Sequence, residues 1–201
     1  MIGEAPRRLE AVLHLPPRVP RAAAVVCHPH PQYGGDMEND VVLAIVDALL
    51  RSDVAALRFN FGGVGASEGR SSGQGVEEQC DVGAAEAALA THVPADVPRA
   101  IVGYSFGAWV GSRAAIGLPR VVRVVAVAPP LAFFDFDFVA SLRARLDVVV
   151  GDRDQYCPRD ALDRLTAAHP VQTAILVGAD HFLSGFERAV GDAAAQFVVG
   201  P

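Results

Sequence analysis

Short apolar, β-branched runs alternate with longer amphipathic stretches along this chain, and that alternation narrows the fold more than any other feature. Residues 8–14 read as a first strand, closed by Pro16 and Pro17, and Ala22 to Cys27 as a fully apolar second. Asn39 to Arg51 has helical spacing, with Val42, Ile45, Val46 and Leu49 on one face. The strand Val54 to Phe61 runs into a glycine-rich loop reaching about Gly75. Val76 to Thr91 then reads as a helix with Ala84, Ala85, Ala88 and Leu89 facing inward. Strands follow at Arg99–Tyr104, Val121–Val127, Leu146–Val150 and Val171–Val177, and helices at Phe106–Ile116, Arg159–Ala168 and Ser184–Val198. Strands apolar on both faces, separated by single helices, predict an α/β fold: a mostly parallel central sheet with helices on both faces.

No repeat or linker divides the chain, so 201 residues are expected to form one domain over 1–201. The segment 130–145 is the only insertion between strand and helix units, too short for a separate lid domain. All seventeen basic residues are Arg, which excludes Schiff-base chemistry and a phosphate loop with its Lys. A net charge of −6 argues against a nucleic-acid partner. The longest apolar run, Val124 to Phe134, is broken by Pro129 and Pro130 and does not predict a membrane span. Glu4, Arg7, Arg8 and Glu10 stand where a secretion signal would turn apolar. Three scattered cysteines, Cys27, Cys80 and Cys157, fit a reducing, cytoplasmic setting, as a monomer or homodimer.

The segment Ile101-Val102-Gly103-Tyr104-Ser105-Phe106-Gly107-Ala108 carries the chemistry. An apolar strand enters Gly-x-Ser-x-Gly, and a helix of small residues leaves it, as a nucleophile elbow requires. The sharp turn at Ser105 crowds positions two before and two after, which Gly103 and Gly107 leave without side chains. A Gly-rich turn with a serine N-cap would use the same residues, but the strand and helix on either side favour the elbow.

A serine nucleophile needs a base, and the base an orienting acid. In known hydrolases that carry such an elbow the chain order is serine, acid, histidine, each after a strand, and that order is expected here. His169 precedes the last strand, whereas His181 follows it. After Leu146–Val150, Asp152 and Asp154 compete; Asp154, further into the loop, is better placed to reach a histidine, and Asp180 ranks third. Oxyanion N–H groups are expected from Phe106 and from the loop His28-Pro29-His30-Pro31-Gln32-Tyr33-Gly34-Gly35. Its prolines have no N–H, which leaves His30, Gln32 and Tyr33.

These motifs resemble the α/β-hydrolase superfamily, and more narrowly a group of small bacterial hydrolases related to dienelactone hydrolases. The resemblance rests on CHPHPQYGG (Cys27–Gly35), LRFNFGGVGASEG (Leu57–Gly69), GYSFGA (Gly103–Ala108), GDRDQYCP (Gly151–Pro158) and GADHF (Gly178–Phe182). It implies Ser105, Asp154 and His181 as a catalytic triad, with the N–H groups of Phe106 and His30 as oxyanion hole. It implies a serine carboxylesterase acting on small-molecule esters of small or medium acyl chains, without cofactor or metal. That group commonly has Arg where this chain has Gly62. Tyr33, Tyr104, Phe133 and Phe134 are the candidate substrate contacts, and Phe136 and Phe138 share their segment.

Rival readings stay weaker. Asp152-x-Asp154 resembles a phosphoryl-transfer site, but Gly151 intervenes and no Lys exists. His28-x-His30 lacks the further ligands of a metal site. Neither Cys27 nor Cys157 occupies an elbow. Thioesters, lactones and amides remain possible substrates of the same machinery, and an inactive binding module would usually lack one of the three residues.

Overall fold

The computed structural model describes residues 1–3 and 7–200; Glu4, one of the N-terminal charges named above, lies outside them. The described residues form one seven-stranded sheet: β1 (Ala11–His14), β2 (Ala22–Cys27), β3 (Val54–Phe59), β4 (Arg99–Tyr104), β5 (Val121–Val127), β6 (Arg145–Gly151) and β7 (Gln172–Leu176). Their spatial order is β1-β3-β2-β4-β5-β6-β7. Only β1 runs antiparallel, pairing Ala11 with Phe59 through His14 with Ala56. The remaining neighbours are parallel. The mostly parallel sheet read from the sequence is therefore present, with an antiparallel edge.

Among the described residues five helices cover it: α1 (Asp40–Arg51), α2 (Val76–Ala90), α3 (Phe106–Ala115), α4 (Arg159–Ala168) and α5 (Glu187–Val199). α1 and α5 cover one face, where Val42, Ile45, Val46 and Leu49 pack with Val190, Ala194 and Val198. α2, α3 and α4 cover the other, through Val82, Leu89, Val110 and Leu162. All six residues of β2, β3 and β4 are buried. That accounts for their unbroken apolar runs, since each strand meets a helix layer on both sides.

Several expected boundaries shift. The first strand starts at Ala11, because Leu9 pairs instead with Ile2 in an isolated bridge. β3 stops at Phe59, and the N–H of Phe61 is bonded to a histidine ring, away from the ladder. α5 starts at Glu187, not Ser184, since Gly185 sits at φ 81, outside helical geometry. Residues 137–141 form a short 3-10 turn, and no lid domain separates β5 from β6.

The inward face of α2 also differs. Ala85 and Leu89 are buried and Ala84 and Ala88 pack on the core as expected, but the face extends to Glu78 and Asp81, which are fully buried. Acidic residues go inside because they find donors. Glu78 accepts the hydroxyls of Ser71 and Ser72 and the backbone N–H groups of Ser72 and Gly73. Asp81 accepts the N–H of Gly62 at 2.9 Å and meets the Arg7 guanidinium at 2.5 and 3.0 Å. A Cβ at position 62 would lie 3.1 Å from an Arg7 nitrogen, so Arg7 occupies the space beside this glycine. The loop that the resemblance would anchor by an arginine at 62 is anchored by one from the N-terminal segment.

Candidate active site

Ser105 stands between β4 and α3 with φ 54 and ψ −117, a conformation that costs a non-glycine residue about 1–3 kcal/mol. The surroundings fix it. A Cβ on Gly103 would lie 2.2 Å from the carbonyl oxygen of Gly107. A Cβ on Gly107 would lie 2.5 Å from the carbonyls of Cys27 and His28. So the two glycines answer to different neighbours: Gly103 admits the start of α3, and Gly107 lets α3 press on the end of β2.

The hydroxyl of Ser105 lies 2.9 Å from Nε2 of His181. Nδ1 of His181 lies 3.0 Å from both carboxylate oxygens of Asp154. With Nδ1–H directed at the carboxylate, Nε2 is left to accept from the serine. His181 and Asp154 are buried, and Ser105 is partly open. Asp154 Oδ1 also accepts the N–H groups of Tyr156 and Cys157, at 2.8 and 3.1 Å, so the carboxylate is held before it meets the imidazole. The Tyr104 hydroxyl donates to the carbonyl oxygen of His181 at 3.1 Å. Burial and the nearby Asp154 and Asp180 charges push its ionisation up, so it remains a donor.

The rival acids are occupied elsewhere. Asp152 Oδ1 accepts the Gly178 N–H at 2.6 Å, and Asp180 Oδ1 accepts that of Phe182 at 3.0 Å. Cys27 and Cys157 are poor nucleophiles here. Burial raises the Cys27 thiol, and burial with the Asp154 charge pushes Cys157 up to about 12.

Of the three candidate donors in the 28–35 loop, two are engaged within it. The Gln32 N–H donates to Nδ1 of His30 at 3.2 Å, and the Tyr33 N–H to the His30 carbonyl at 3.1 Å. His30 itself caps the 3-10 turn Pro31–Tyr33, and its ring packs 4.5 Å from that of Phe106. As the first residue of α3, Phe106 has an N–H without an intrahelical acceptor, beside the positive end of the helix dipole. His28 does not join His30 as a metal-ligand pair. Its Nδ1–H donates to the Pro29 carbonyl at 2.7 Å, and its Nε2 accepts the Phe61 N–H at 3.1 Å.

Ser105 opens into a cleft of about 570 Å³. Tyr33, Tyr104, Phe133 and Phe134 all line it. Tyr104 is almost entirely buried, so it braces the His181 loop more than it offers surface. Phe136 is buried and Phe138 packs on the core, so only half of the four-ring segment faces the cleft. Asn39, Tyr156 and Phe182 also line the cleft and were not singled out from the sequence. Tyr156 and Phe182 had one signal, adjacency to the acid and histidine loops.

No protein-family model matches the chain. An uncharacterized protein of Rickettsia prowazekii is 33% identical over 183 residues, 84% of this chain and 76% of that one. A protein of unknown function from Agrobacterium tumefaciens, proposed to be an α/β hydrolase, superposes with a TM-score of 0.87 at 28% identity, over 96% of this chain and 92% of that one. A Xanthomonas campestris protein, described as an α/β serine hydrolase without a lid, superposes at 0.84 with 29% identity, over 95% and 88%. Among the described residues, no helix is long and apolar enough to cross a membrane.

Proposed function

The chain belongs to the α/β-hydrolase superfamily, and from that premise we propose that it is a serine hydrolase cleaving small-molecule carboxylic esters of small or medium acyl chains. One observation carries the reading: the unbroken hydrogen-bond chain from Ser105 Oγ through the His181 ring to Asp154, at 2.9 and 3.0 Å.

In this mechanism Ser105 Oγ attacks the carbonyl carbon while Nε2 of His181 takes its proton. Negative charge develops on the carbonyl oxygen, which the Phe106 and His30 N–H groups receive. Asp154 holds the imidazole in the required tautomer and stabilises its cationic form. The ester C–O bond breaks, and His181 passes its proton to the departing alkoxide. Water, deprotonated by His181, then attacks the acyl-enzyme, and Ser105 recovers its proton.

Ser105→Ala tests this directly. Loss of p-nitrophenyl ester hydrolysis on the order of a million-fold is expected, together with loss of labelling by a fluorophosphonate probe and an unchanged fold. Wild-type turnover in this variant would overturn the proposal.

A further inference from the structure

Ring contacts divide the cleft into two sides. On one, Tyr156 packs 4.5 Å from the His181 imidazole, with Phe133 at 5.0 Å and Phe182 at 6.5 Å from Tyr156. On the other, the rings of His30, Phe106 and Phe134 follow one another at 4.5 and 5.9 Å, and Phe134 stacks on Trp109 at 4.3 Å. Acyl transfer gives the two sides different tasks. The carbonyl oxygen turns toward the N–H groups of the His30 and Phe106 side. The leaving oxygen has to stand within reach of His181 Nε2, because its proton comes from there. Whatever the leaving oxygen carries therefore extends over Phe133, Tyr156 and Phe182.

This second side has a definite chemistry. Among the described residues, no Arg, Asp or Glu lines the cleft. Phe133 is 65% and Phe182 57% exposed, so two large apolar surfaces face water beside the imidazole. They are not idle loop residues. The Ala132 N–H donates to the Tyr156 carbonyl at 3.0 Å, tying the backbone next to Phe133 to the acid loop. Phe133 and Phe182 each meet Tyr156 at an interplanar angle of 69°. Rings set at such angles offer both faces and edges, the geometry in which an aromatic guest is held edge-to-face. A carboxylate or phosphate on the alcohol would find no cation here, on a chain of net charge −6.

We infer that Phe133, Tyr156 and Phe182 form a leaving-group subsite for neutral aromatic alcohols, an assignment that rests on the serine-hydrolase reading above. The substrates would be esters whose alcohol part carries an uncharged ring. The subsite acts twice, when the alcohol leaves and when any alcohol competes with water for the acyl-enzyme.

The test uses that second event. Wild-type protein is acylated with p-nitrophenyl acetate in the presence of benzyl alcohol or ethanol, and the acetate ester formed is measured against free acetate. In the transfer, the alcohol oxygen bonds to the acyl carbon, the bond to Ser105 Oγ breaks, and the alcohol proton passes through His181 to the serine. Benzyl alcohol is expected to intercept about tenfold better than ethanol at equal concentration. Phe182→Ala and Phe133→Ala, both at exposed rings, should each reduce that ratio severalfold, and together bring it near one. Val19→Ala, at an exposed residue outside the cleft, should leave it unchanged. Equal interception by wild type, or a ratio undiminished in the double variant, would overturn the subsite. Absence of p-nitrophenol release and of fluorophosphonate labelling would instead overturn the underlying hydrolase reading.

Discussion

Nδ1 of His181 stands 3.0 Å from each carboxylate oxygen of Asp154, while Asp152, two residues earlier, uses its carboxylate to receive the Gly178 N–H. Asp154→Asn should therefore lower turnover by about ten-thousand-fold, because an amide can favour the wrong imidazole tautomer. Asp152→Asn keeps an oxygen for Gly178 and should alter turnover little. Steady-state kinetics of the two variants decide, and a reversed order would move the acid to Asp152.

Two glycine substitutions should have opposite signs. Gly103→Ala places a Cβ 2.2 Å from a backbone carbonyl and should cost about 3 kcal/mol of stability, with loss of activity through a displaced Ser105. Gly83→Ala, inside α2 where an added Cβ meets nothing within 4 Å, should stabilise by about 1 kcal/mol. Urea unfolding of both variants measures the contrast.

Chain-length preference follows from the open cleft. Hydrolysis of p-nitrophenyl esters from acetate to palmitate should peak at or below about eight acyl carbons, where further methylenes no longer gain their ~0.8 kcal/mol of burial. A steady rise to palmitate would require a long apolar tunnel and contradict this geometry.

Burial lowers the proton affinity of His28 to about 4, and its Nε2 must stay unprotonated to accept the Phe61 N–H. The unfolded chain takes up this proton near the ordinary histidine value, about 6.5, and the folded chain only near 4. The His28 contribution to stability is therefore fully present above about 6.5 and is lost as pH falls from there toward 4, on the order of 3 kcal/mol in all. Unfolding free energies measured at pH 7 and pH 4.5 should differ less in His28→Gln than in wild type. An identical pH dependence would contradict the assignment.

Sequence and structure agree where a residue is tied to a strand end. Ser105, Asp154 and His181 follow β4, β6 and β7, and a parallel sheet brings those ends to one edge whatever the loops do. Periodicity also found the buried face of α1, which is wholly apolar. On α2 it found the alanine and leucine face but missed the buried Glu78 and Asp81, because its rule assigns carboxylates to solvent and cannot see that Ser71, Ser72 and Gly73 wait as donors for Glu78. Tyr156 and Phe182 escaped because nothing in a loop's spacing says which way a ring turns. The Arg7–Asp81 pair spans 74 positions and leaves no local trace.

That pair also couples positions 7 and 62, since the Asp81 carboxylate takes both the Arg7 guanidinium and the Gly62 N–H. A guanidinium in the space beside Gly62 blocks any long side chain there, and removing it leaves the buried Asp81 carboxylate with fewer donors. Arg7→Ala should cost about 2 kcal/mol, and Gly62→Arg alone should crowd two cations onto one acid. Made together, the two changes would return an arginine to the same carboxylate from the other side of the loop. Each substitution is harmful in the background that lacks the other. Exchanging one arrangement for the other is therefore expected to pass through a less stable single variant, and urea unfolding of both single variants and the double one would show it.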